Sequence, residues 1–203
     1  MTRFAAVLVL AACGATSPAA PASVASAQRS AAPPPAGDLE SQMMGAAAAM
    51  GGDAESRFGP LEVGADYLTY RKLTPEPFLS KVHGNRWVDV YVNEVGADAY
   101  LNNGEIPDGT IVVKTSWQDD DGAPSRVAGP IYIMQKRPVA TSPEHDGWYF
   151  AIHWADPPPE DRKRFGGPIY WRGSSPRAAF CWECHDSYDR SLGGLVPSSV
   201  LPR

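Results

Sequence analysis

Polar and apolar positions alternate most regularly across Trp87-Val88-Asp89-Val90-Tyr91-Val92-Asn93. A period of two puts Val88, Val90 and Val92 on one face and Asp89, Tyr91 and Asn93 on the other, which predicts a half-buried strand. Thr110 to Lys114 predicts a second strand, entered through the turn Pro107-Asp108-Gly109, with Thr110, Val112 and Lys114 on one face. Residues 131–135 and 148–154 predict a third and a fourth, the last carrying Tyr149, Ala151 and His153 in one row. Between the first two, residues 97–102 read as one or two helical turns closed by Asn103-Gly104. The acidic run from Gln118 to Gly122 reads as a hairpin loop, a solvated turn being favoured over calcium ligation by Asp119, Asp120 and Asp121. After Pro157-Pro158-Pro159 the pattern is lost, and the chain is expected to be irregular as far as Cys181. The predicted fold class is α+β, mainly antiparallel β, a single domain with short helices over residues 58–203.

The pattern upstream is of another kind. Met1-Thr2-Arg3 precedes an apolar run from Phe4 to Ala12 that is too short to cross a bilayer, and Leu10-Ala11-Ala12-Cys13 has the form of a bacterial lipobox. Residues 1–12 are therefore expected to be a signal peptide and Cys13 the lipidated first residue of the mature chain. Cleavage after Ala25-Ser26-Ala27 is the alternative. Residues 13–57 read as an Ala/Pro/Ser-rich tether with a short helix over 38–50, because they hold too little large apolar surface to offset their ordering entropy. The whole chain of 203 residues, with 20 Pro and 19 Gly, suits one modest domain plus such a tether. A net charge of −5 with scattered cations leaves no electrostatic footprint for nucleic acid. The expected location is outside the cytoplasm, as a periplasmic or outer-membrane lipoprotein of a Gram-negative bacterium, held to the membrane by lipid alone.

The chemistry concentrates in Cys181-Trp182-Glu183-Cys184-His185. C-x-x-C-H is the attachment pattern of a c-type haem: two thiols reach the two vinyl groups of one porphyrin, and the adjacent imidazole turns back to the iron. One haem c is expected, covalent through Cys181 and Cys184 with His185 on the metal. A redox disulfide or half a zinc site is the alternative, but no second cysteine pair exists to complete a zinc site. Two other side chains have a functional and a packing reading. His153 could relay protons on the distal side or fill the core, and Met134 could be a sixth iron ligand or a packing residue.

The Val88 strand, the short helix after it, the segment Pro107-Asp108-Gly109-Thr110-Ile111-Val112-Val113-Lys114, the turn Asp146-Gly147-Trp148 and the C-x-x-C-H motif follow one another in an order that resembles the cytochrome P-460 family. That family includes the beta-type cytochromes c-prime, and the likeness covers roughly Tyr67 to Val196. The resemblance implies a β-rich fold that lays the haem against a sheet, His185 as proximal ligand and a homodimer. It also implies a bond from Lys114 to a meso carbon of the haem; a strand-end lysine that reaches water is the alternative. The family's enzymes carry an arginine at the start of the Val88 strand and a carboxylate in the next strand beyond the hairpin, whereas these places hold Val88 and Lys136 here. Arg86, two residues earlier on the same face, is a candidate replacement for the arginine, and nothing evident replaces the carboxylate. Three functions are implied: a haem oxidoreductase that oxidises hydroxylamine or a related nitrogen oxide and passes electrons to a periplasmic acceptor, with Lys114, Arg86 and His153 as candidate catalytic residues; a protein that binds nitric oxide without turnover; or a simple electron-transfer cytochrome.

Overall fold

In the computed structural model, which describes residues 56–187, the alternating segments pair into one antiparallel sheet. The expected signal peptide, lipobox, tether and 38–50 helix lie outside the described residues, as does the end of the chain from 188. The strands are β1 (Arg71–Lys72), β2 (Phe78–Ser80), β3 (Arg86–Val92), β4 (Ile111–Asp120), β5 (Ala123–Ala128), β6 (Ile131–Lys136), β7 (Trp148–Trp154) and β8 (Ile169–Arg172). They run in the order β1-β3-β4-β6-β7-β8, with β2 also on β3 and β5 also on β4. The mainly antiparallel α+β fold expected from the sequence is the fold observed.

Register decides which side chains meet. Val90 pairs with Lys114, Lys114 with Tyr132, Tyr132 with Ile152 and Ile152 with Trp171, so these five share the front face. The next row on that face is Val92, Val112, Met134 and Phe150. The back face carries Tyr91, Val113, Ile133 and Ala151, closed over by Val63 and Tyr67 from the segment before β1. Both faces are thus covered, and Val88 to Val92 are all buried, where alternation alone suggested a strand with one wet face.

Short helices dress the front. α1 (Ala97–Leu101) buries Ala97 against Val90, Val92 and Val112. The stretch expected to be irregular holds α2 (Pro159–Phe165), β8 and, after the turn Pro176–Ala178, α3 (Ala179–His185). α2 begins with proline at its first positions, where the missing N–H costs nothing, and stops at Gly166 in the left-handed region at φ 79°. The acidic run is also more ordered than expected. β4 continues to Asp120, the reversal is confined to Asp121-Gly122, and Asp119 Oδ1 accepts a hydrogen bond from Trp87 Nε1 at 2.6 Å. Among the described residues no group of acids, histidines or cysteines is arranged to hold a metal ion.

Candidate functional site

α3 lies against the front face so that Cys181, Cys184 and His185 line one cavity with Val112, Lys114 and Tyr132. A larger space of about 570 Å³ shares Val82, His83, Tyr132 and Phe180 with it and is bounded further out by Arg86, Trp154 and Asp161. This volume falls within the range of about 300–1,000 Å³ typical of small-molecule and cofactor sites.

Lys114 is 3% exposed, and among the described residues no carboxylate pairs with it. Burial holds its amine down to about 8, against the opposing pull of the Cys181 and Cys184 thiols. Its amine lies 3.4 Å from His83 Nε2. Burial, with Lys114 and His185 close by, pushes His83 down to about 2, so its ring is neutral at ordinary pH. Nε2 must then accept from Lys114, which leaves the proton on Nδ1 to donate to Ser80 Oγ at 2.7 Å. Tyr132 fixes the same residue from below, its hydroxyl donating to the His83 carbonyl oxygen at 2.9 Å and the two rings meeting at 4.8 Å. Cys181 responds to burial in the other direction, its thiol pushed up to about 12.

Arg86 does face this space. Its guanidinium lies 4.8 Å over the Trp154 ring and 3.6 Å from Asp161 Oδ2. A Cβ on Gly129 would come within 2.4 Å of Ser116 Oγ and 2.8 Å of Arg86 Nη1, so a glycine suits the place where these two side chains pass. Asp161 places a carboxylate on the wall of the larger space. It was missed because α2 was missed, although Pro158-Pro159-Glu160-Asp161 has a helix-start signature, proline at the first position with acids in the first turn. His83, on a single turn between β2 and β3, gave no signal.

Other candidates lie elsewhere. Met134 is buried in the cavity wall, compatible with either of its readings. Val88 is fully buried and lines neither space, and Lys136 turns to Asp146. His153 is on the back face, opposite Ile131, because its row alternates with the Ile152 row that looks to the front. Its Nε2 is 2.6 Å from Glu62 Oε2, and the same carboxylate accepts from Tyr149 at 2.8 Å and from Arg172 Nε at 3.2 Å. The sheet thus keeps His153 away from Lys114 and Cys181.

The cavity suits a porphyrin in three respects. Two thiols and an imidazole converge on one wall. Val82 and Phe180 are apolar yet 54% and 47% exposed at its lip, where a flat apolar ring system would cover them. Lys114 is a buried amine directed at the same space with, among the described residues, no acid paired to it. No curated protein matches the chain. The family model for cytochrome P-460, however, matches residues 67–191, more than half of its length and the whole of the sheet and α3. The chain therefore belongs to the cytochrome P-460 family and is a haem-binding cytochrome.

Proposed function

We propose that the protein is an exported c-type cytochrome with one haem, covalent through Cys181 and Cys184 and ligated by His185, that binds and oxidises small nitrogen oxides such as hydroxylamine and passes the electrons to a periplasmic acceptor. In this proposal Cys13 carries a lipid anchor and the protein works as a homodimer. A haem held there supplies an open coordination position and a one-electron couple. The observation that carries the reading is Lys114, a buried amine on the wall that also presents the two thiols and His185. In an apolar setting it is close enough to neutral for its nitrogen to bond to the macrocycle edge, one N–H and one C–H giving way to an N–C bond while two protons leave and two electrons pass to the periplasmic acceptor; His83 holds the amine in place.

The remaining residues favour turnover over simple capture. Asp161 offers a carboxylate oxygen to take a proton from the substrate, and Arg86 holds that carboxylate while Trp154 holds Arg86. Nitric-oxide capture without turnover is the second reading, favoured by the apolar wall of Val112, Met134 and Phe150. Intact mass and ferrous absorption of protein made with a c-type haem maturation system test the proposal against Lys114→Ala, with hydroxylamine oxidation measured beside Asp161→Asn. A haem adduct lacking two further hydrogens and a red-shifted Soret band, both lost in Lys114→Ala, are expected, with oxidation about 100-fold slower in Asp161→Asn. An ordinary haem mass, a high-spin spectrum unchanged by Lys114→Ala and no hydroxylamine turnover would transfer the assignment to nitric-oxide binding. A low-spin spectrum would point to Met134 on the iron and to electron transfer.

A further inference from the structure

The turn that leads into β7 holds three successive residues in the left-handed region, His145 at φ 53°, Asp146 at φ 52° and Gly147 at φ 78°. Glycine adopts this conformation freely, whereas a non-glycine residue there costs on the order of 1–3 kcal/mol and persists only where its surroundings hold it. A Cβ at Gly147 would collide with the Arg137 carbonyl oxygen. Two adjacent side chains thus bear the strain, and each is held.

The contacts of His145 lead to the segment that bears His185. His145 Nδ1 is 2.6 Å from Asp186 Oδ2, one residue beyond His185. Its ring stacks on Trp182, between the two cysteines, at 5.0 Å and 26°. It also meets the edge of Phe150, whose own ring lies 5.4 Å from that of His185. Asp146 is held from the opposite side. Lys136 Nζ donates to its carbonyl oxygen and to Oδ2 at 3.3 Å, with the ammonium 5.9 Å over Trp148. Lys136 stands where the family's enzymes are expected to carry a carboxylate, and here it buttresses a strained turn.

α3 needs such support. It has seven residues, and His185 is the last of them, at the end of a helix too short to be stable alone. We propose that the 144–147 turn is a clamp on α3, in which His145 positions His185 through Asp186, Trp182 and Phe150, and Lys136 keeps the turn in its strained form. This rests on the reading that His185 ligates the haem iron. His145 is a positioning residue: it fixes where the imidazole of His185 lies and how far it can tilt, as outer partners do for metal-bound histidines.

The test uses the full chain with haem attached. His145→Gly keeps the backbone conformation and removes all three contacts, His145→Asn tolerates the left-handed region and returns a hydrogen-bonding group close to Nδ1, and Lys136→Met removes the buttress. In His145→Gly the iron–histidine stretching band of the ferrous protein is expected to shift and broaden, with amide hydrogen exchange over residues 179–186 faster by on the order of tenfold. His145→Asn restores most of both, and Lys136→Met moves both in the direction of His145→Gly. A His145→Gly protein that keeps the wild-type band and exchange overturns the clamp, as does one that His145→Asn fails to improve. If His145→Gly takes up no haem, Lys136→Met decides by the same two readouts. A wild-type protein without an iron–histidine band would mean that the ligation reading has failed, and the exchange of 179–186 still decides whether the turn clamps α3.

Discussion

Lys114 and His83 are two bases sharing one buried space, and both are less basic in the folded chain than in water. The folded state therefore binds fewer protons than the unfolded chain across each window, and stability rises with pH there. For His83 the window runs from about 2 to 6.5, so acid removes stability as the ring is forced to charge. For Lys114 it runs from about 8 to 10.5, a gain of up to about 3 kcal/mol on passing through it. Cys181 and Tyr132 have raised values and work in the opposite sense above neutrality, so the lysine is isolated by difference. Urea unfolding of haem-free protein and of Lys114→Met at pH 7 and pH 10 should show the variant ahead at the lower pH and its advantage shrinking at the higher. An advantage that does not change with pH would mean that the amine is solvated.

At the scale of elements, the long strands can be read from their repeating faces: β3, β6 and β7 fall within a residue of the expected bounds, while β4 starts where expected but runs six residues beyond Lys114. β5 could not, since Ala-Pro-Ser-Arg-Val-Ala has no apolar row and is paired by its hairpin alone. α2 is charged apart from its end residues Pro159 and Phe165 and opens on the last of three prolines, and β8 has only four residues after two glycines and a proline. The cysteine pair and the imidazole are legible because local spacing defines them. His83 and Asp161 are not, because each reaches the cavity only through tertiary packing. His153 shows the converse: its strand was right, but its face is that of the anchor formed with Glu62. Burial alone would raise the Glu62 carboxyl, yet the hydrogen bond and charge of His153, with Tyr149, hold it below its ordinary value. Replacing Glu62 by Leu leaves His153 and Arg172 without their acid and should cost about 3–5 kcal/mol in chemical denaturation, with the haem spectrum unchanged. A spectral change would show that the two faces of the sheet are coupled.

Across the whole molecule, the sheet separates two tasks. The back ties the segment around Glu62 to β7 and β8, while the front carries the cofactor wall, and the last described element, α3, closes it. Cys181 is caught in that closure, half-buried with its thiol pushed up to about 12, so that little of it is thiolate near neutral pH. A maleimide should therefore modify Cys181 in folded, haem-free protein on the order of a hundredfold more slowly than in urea. Equal rates would mean that α3 is undocked before haem arrives. On the proposal that haem is bonded through Cys181, a thiol shielded in this way sets a timetable: the cofactor would have to be joined while α3 is still loose, and a domain folded without it would block its own maturation.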